Sequence, residues 1–132
     1  MSEIYSKMRV LVVDDVAMMR LTIRNFLNGF GCTDILEACN GELAWQQLTT
    51  AAPPINFVLA DVRMPESDGI SFLKRMRADE RYMSLPVIMV TAEGETNSII
   101  EALDAGASMY LIKPVQAEVL NDAIRTVLAR NA

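Results

Sequence analysis

Val10-Leu11-Val12-Val13-Asp14-Asp15 joins four consecutive apolar residues directly to two carboxylates. An uninterrupted apolar run this short reads as a strand buried on both faces, as in parallel sheets. The same construction recurs downstream. Phe57-Val58-Leu59-Ala60 runs into Asp61, Val87-Ile88-Met89-Val90 into Thr91, and Met109-Tyr110-Leu111-Ile112 into Lys113. Parallel strands present all their carboxyl ends on one edge, and ligand sites of open α/β sheets lie on that edge. Asp14, Asp15, Asp61, Thr91 and Lys113 are therefore expected to meet in one pocket although the sequence scatters them.

The segments between these runs carry helical spacing. Val16 to Leu27 places Met19, Ile23, Phe26 and Leu27 on one face, with Gly29 and Gly31 as a stop. Thr33 to Ala38 reads as a short second strand, Asn40 to Thr50 as a helix with Leu43, Ala44 and Leu48 inward, and Pro53-Pro54 as part of a loop. Ile70, Leu73 and Met76 or Arg77 mark a third helix, and Ile99, Ile100 and Leu103 a fourth that Gly106 ends. The pairs Val119/Leu120, Ala123/Ile124 and Val127/Leu128 recur every four residues and mark a fifth. Five strands alternating with five helices imply right-handed crossovers and a doubly wound α/β fold with a parallel sheet between two helix layers.

Composition narrows the chemistry. The 132 residues, 52% hydrophobic and 22% charged, fit one domain over 1–132 with no output domain, so output is expected through a surface that binds a partner. A net charge of -5 without a basic stripe argues against direct nucleic-acid binding. The polar N-terminal residues and the short apolar runs offer neither a signal sequence nor a membrane span, so a cytoplasmic location without membrane insertion is expected. Cys32 and Cys39 match no metal or redox spacing and read as two reduced thiols. The absence of histidine removes Ser/His/Asp catalysis and any phosphohistidine of the chain's own. Carboxylates must carry the chemistry.

Adjacent aspartates at a strand end raise one another's pKa and lose hydration in a cleft, and a hard divalent cation resolves that conflict. Magnesium takes one or two carboxylates, several waters and phosphate oxygens, which suits Asp15 and Asp61 as direct ligands with Asp14 acting through a water. Lys113 then meets one phosphoryl oxygen and the Thr91 hydroxyl another. This is the composition of a phosphoryl-transfer pocket. Asp61, on the central strand, is the expected nucleophile.

With these motifs in order, the chain resembles the receiver domain of bacterial response regulators, most nearly the stand-alone chemotaxis (CheY-like) type. The resemblance rests on Val12-Val13-Asp14-Asp15, on Asp61 followed by Met64-Pro65 and Asp68-Gly69, on Leu85 through Glu93, and on Ala105 through Pro114. It implies a flavodoxin-like sheet of strand order 2-1-3-4-5. It further implies phosphate transfer to Asp61 from a sensor histidine kinase or phosphotransfer protein, with magnesium needed for both gain and loss. The Arg63 backbone carbonyl becomes an additional magnesium ligand, the Lys113-Pro114 peptide is cis, and Thr91 with Tyr110 forms a switch read by a downstream protein not identifiable from sequence. The chain would be a phosphoacceptor regulator with self-phosphorylation and self-dephosphorylation chemistry rather than an enzyme, the alternative being a phosphorelay intermediate or phosphate sink. An aspartate-nucleophile phosphatase would need a second Asp where Arg63 stands. Arg63 replaces the Asn usual in the chemotaxis type, Val115 the Phe of many relatives, and Gly94-Glu95-Thr96-Asn97 the lysines of motor-docking regulators. Arg63 and Glu93, each two residues past a pocket residue, are expected at the rim, where they would tune the rate of phosphate loss by obstructing water.

Overall fold

Side-chain alternation along three central strands divides the core into two layers, one on each face of a single sheet. The computed structural model describes residues 3–64, 68–92 and 96–130. In chain order the elements are α1 (Glu3–Ser6), β1 (Arg9–Val13), α2 (Ala17–Phe30), β2 (Asp34–Ala38), α3 (Gly41–Thr50), β3 (Phe57–Asp61), α4 (Gly69–Arg77), β4 (Val87–Thr91), α5 (Thr96–Asp104), β5 (Met109–Ile112) and α6 (Ala117–Arg130). All strand pairs are parallel, in the order β2-β1-β3-β4-β5.

Val10, Val12, Phe57, Leu59, Ile88 and Val90 face α2 and α6, where Ile23, Leu27, Leu120 and Ile124 meet them. Leu11, Val13, Val58, Ala60, Val87 and Met89 face the opposite layer, packed by Ala44, Leu48, Leu73, Met76 and Ala102 of α3, α4 and α5. Every residue of β3 and β4 is buried, and so is β1 after Arg9, which is why these strands read as continuous apolar runs. The outer strands β2 and β5 are only partly covered. On β2, Arg24 Nη2 donates to the Ile35 carbonyl at 3.1 Å and Gln47 Nε2 to the Glu37 carbonyl at 3.2 Å, satisfying edge acceptors that would otherwise invite another strand.

The five-helix expectation needs correction, because six helices are present among the described residues. The additional one, α1, is a single turn and too short to show helical periodicity; Tyr5 anchors it, its ring tilted at 40° against Phe30 with centroids 5.2 Å apart and its hydroxyl bonded to Asn121. Leu43, read as inward, lies outward, and Ile100, Leu103 and Val119, whose spacing marked their helices, are exposed as well. The buried line runs beside Leu43, Leu103 and Val119, through Ala44 and Leu48 in α3, Ser98 and Ala102 in α5, and Leu120 and Ile124 in α6, while Ile100 lies two residues from Ser98 and from Ala102. One residue along a helix is a rotation of about 100°, enough to turn a side chain from core to solvent.

Register then sets what the sheet's carboxyl edge displays. Val13 pairs with Ala60, Asp61 with Val90, and Thr91 with Ile112. Each strand thus ends within one step of its neighbour, and Asp14, Asp61, Thr91 and Lys113 emerge side by side.

Candidate functional site

Asp14 leaves β1 with its backbone N–H still donating to the Ala38 carbonyl of β2 at 3.1 Å, so the ladder continues into the site. Its side chain is 2% exposed, and its Oδ1 accepts the Val16 N–H at 2.9 Å. Burial raises the Asp14 pKa and the Asp61 charge raises it further, against the lowering effects of the Val16 N–H and of Lys113. Asp61 is 5% exposed; its Oδ1 accepts the Arg63 N–H at 3.2 Å and its Oδ2 accepts from Lys113 Nζ at 2.9 Å. Lys113 Nζ also lies 3.4 Å from Asp14 Oδ2 and so bridges the two buried carboxylates. Burial works against the Lys113 charge, but the Asp61 hydrogen bond and the charges of Asp61 and Asp14 outweigh it and raise its pKa.

Asp15 completes the group. Carboxylate oxygens of Asp14, Asp15 and Asp61 all lie within 4.8 Å of one another, with Asp15 exposed and the other two buried. Three hard oxygen donors of like charge at this spacing fit a small divalent cation and fit little else, since Lys113 alone offsets only part of their charge. Thr91 is fully buried, and its Oγ1 has no hydrogen-bond partner among the described residues. An unsatisfied buried hydroxyl costs about 1–3 kcal/mol, so it marks a place where a ligand oxygen would be welcome.

Other residues picked from the sequence are placed as follows. Arg63 is exposed beside Asp61, to which its backbone N–H donates. Tyr110 is 37% exposed on β5, paired in register with Met89, two residues before Thr91. The Lys113–Pro114 peptide is cis, and so is Ala52–Pro53. Glu93 and Pro65 lie outside the described residues.

Two contributors were not read from the sequence. Gly69 begins α4 with its N–H on the Val62 carbonyl at 3.0 Å, and a Cβ there would fall on the Asp61 carbonyl oxygen and 2.8 Å from Met89 Cε. Only glycine lets α4 start this close to the end of β3. The Asp68-Gly69 pair was visible as a helix start, but nothing in sequence reveals the approach to Asp61. Arg20 is the other: its Nη1 donates to the Asp14 carbonyl at 2.7 Å, a contact between α2 and β1 with no sequence signature.

Comparison with known proteins agrees with this geometry. The chain matches the response regulator receiver domain family over residues 10–125. It is similar to the chemotaxis protein CheY1 of Helicobacter pylori, with 40% identity over 94% of this chain and 99% of that protein. The chemotaxis protein CheY of Pseudomonas aeruginosa is 42% identical over 93% of this chain and 98% of its own length. Among solved structures, a response regulator receiver domain protein from Clostridium thermocellum superposes with a TM-score of 0.84 at 28% identity, covering 94% of this chain and 96% of that one. The chemotaxis response regulator CheY4 of Vibrio cholerae superposes with a TM-score of 0.82 at 28% identity, covering 91% and 98%.

Proposed function

The chain belongs to the response regulator receiver family and is a two-component response regulator, and from that premise we propose that Asp61 is its phosphoacceptor. The observation that carries this reading is the Lys113 ammonium, held at 2.9 Å from Asp61 Oδ2 and 3.4 Å from Asp14 Oδ2. It faces the carboxylate oxygens from which the acyl phosphate would form and gives the negative charge of an incoming phosphoryl group a partner. In the forward step an Asp61 carboxylate oxygen attacks the phosphorus of a phosphohistidine on a histidine kinase or phosphotransfer protein. The P–N bond breaks, the imidazole leaves with its electron pair, and an acyl phosphate remains. Water reverses the state by attacking phosphorus and releasing inorganic phosphate. Asp14, Asp15, Asp61 and the Arg63 carbonyl would hold magnesium, which when bound neutralises charge on the phosphoryl oxygens. Lys113 exchanges its bond to Asp61 for one to a phosphoryl oxygen, and the Thr91 hydroxyl, without a partner among the described residues, donates to another.

This fits a cytoplasmic chemotaxis-type regulator that labels itself from small phosphodonors. The similarity to chemotaxis proteins along nearly their whole length favours it over a phosphate sink. The test is intact mass after incubation with a small phosphodonor and magnesium. The wild type should gain one phosphoryl group and Asp61→Asn none; equal gain by the variant would remove Asp61 from its role.

Output follows from Thr91 and Tyr110. A ligand shifts a conformational equilibrium only through interactions that differ between the two states, and a charge-assisted bond from Thr91 to phosphate supplies about 1.5–3 kcal/mol of difference. Drawing Thr91 toward the phosphate frees space that the exposed Tyr110 ring fills, altering the surface a downstream protein reads. Tyr110 ring resonances should shift when beryllofluoride binds; identical spectra in free and bound protein would discard this switch. Arg63, exposed beside Asp61, is proposed together with Glu93 to slow phosphate loss by shielding the phosphoryl group from water.

A further inference from the structure

We infer that Arg20 is a positioning residue for the acidic pocket, clamping the Asp14–Asp15 peptide so that Asp15 faces the cation it shares with Asp14 and Asp61. The inference rests on the metal-dependent reading given above and concerns a residue outside the carboxylate group. No hydrogen bond or ion pair ties the Asp15 side chain to another residue among those described, so the backbone, which sets the direction of its Cα–Cβ bond, is what aims it at the pocket. The peptide plane immediately before it carries the Asp14 carbonyl, and Arg20 Nη1 donates to that carbonyl at 2.7 Å. Arg20 Nε is in turn held by Glu37 Oε1 at 2.9 Å, and Glu37 Oε2 accepts from Arg24 Nε at 2.7 Å.

The result is a chain of charge-assisted bonds running from α2 through β2 to the end of β1. Although burial opposes ionisation of Glu37, the hydrogen bonds from Arg24 and Arg20 outweigh it and lower its pKa, so the clamp stays charged at neutral pH. A guanidinium suits the task because its fixed fork can hold a carbonyl and a carboxylate at once, which an ammonium does not reproduce. Groups that orient metal ligands without touching the metal commonly change its affinity about 10–100-fold when removed.

The opposite edge of the same two strands supplies a control. Arg9 Nε pairs with Asp34 Oδ2 at 2.9 Å while its Nη1 donates to the Pro53 carbonyl at 3.0 Å, the same joint of carboxylate and carbonyl, but far from the pocket. Arg20 and Glu37 also line an open cleft of about 450 Å³, so truncating either admits water instead of leaving a dry void.

The experiment is calorimetric titration of the full chain with magnesium, without phosphodonor, on the wild type, Arg20→Ala, Arg20→Lys and Arg9→Ala, with thermal melts alongside. Magnesium should bind Arg20→Ala about tenfold more weakly than wild type, Arg20→Lys should recover part of the loss, and Arg9→Ala should bind as wild type. Equal affinity in wild type and Arg20→Ala overturns the clamp while leaving the pocket's cation intact. Absence of binding by the wild type overturns both readings. Equal loss in Arg9→Ala and Arg20→Ala also overturns the clamp, because a general loosening of β1 and β2 would then be the cause. If Arg20→Ala does not fold, Glu37→Ala, which releases Arg20 without altering it, carries the same expected and contrary results.

Discussion

The two edges of the sheet are built from similar residues and used in opposite ways. At the amino edge every named polar group is matched: Arg9 with Asp34 and the Pro53 carbonyl, Asn56 with the Arg9 N–H and the Lys7 carbonyl, Ser108 Oγ with the Val87 N–H. At the carboxyl edge two buried aspartates share one lysine, an exposed third aspartate has only its backbone to hold it, and a buried threonine hydroxyl has no partner among the described residues. Groups of the first kind hold loops in place. Those of the second kind are satisfied only when something else arrives, which is the physical signature of a site.

The sharpest way to test this difference is through glycine. Adding a Cβ at Gly69 drives it onto the Asp61 carbonyl, so Gly69→Ala should destabilise the protein by about 3 kcal/mol and disturb the end of β3. At Gly29, inside α2, a Cβ meets nothing within 4 Å, and Gly29→Ala should leave stability unchanged or raise it by about 0.5–1 kcal/mol. Urea denaturation of both variants checks the pair; a tolerated Gly69→Ala would mean that α4 does not need its close approach.

A smaller effect concerns charge. A pKa raised by folding means that ionised Asp14 opposes folding: its favourable contribution is complete below the unfolded value of 3.8 and is lost as pH rises through the folded value. In metal-free buffer at neutral pH, Asp14→Asn should therefore be more stable than wild type, by about 1 kcal/mol, while its amide oxygen can still accept the Val16 N–H. The advantage should close as pH falls to the unfolded value of 3.8, below which Asp14 is protonated in both states. Melts at both pH values decide it, and a wild type more stable than the variant at neutral pH would show that Lys113 already compensates the buried charge.

Most of the fold was legible because β1, β3 and β4 are buried on both faces and write themselves as apolar runs, each ending in a polar residue at a strand terminus. The pocket inherits that legibility. Asp14, Asp61, Thr91 and Lys113 sit at the ends of in-register parallel strands, so finding the strands finds the site. What escaped depends on geometry without periodicity. The single turn of α1 is too short to repeat, Leu43, Leu103 and Val119 are apolar residues one step round the helix from the buried line, and Ile100 is an apolar residue on the face opposite it. Gly69 and Arg20 act through backbone carbonyls, which every sequence contains and none advertises.

The central claim is that the carboxyl edge exists to place a phosphoryl group on Asp61. Borohydride converts an acyl phosphate on aspartate to homoserine, so phosphorylated wild-type protein, reduced and mapped by tandem mass spectrometry, reports the acceptor directly. Homoserine at position 61 alone is the expected result. Homoserine at position 14 or 15, or none after a confirmed mass gain, would contradict the account.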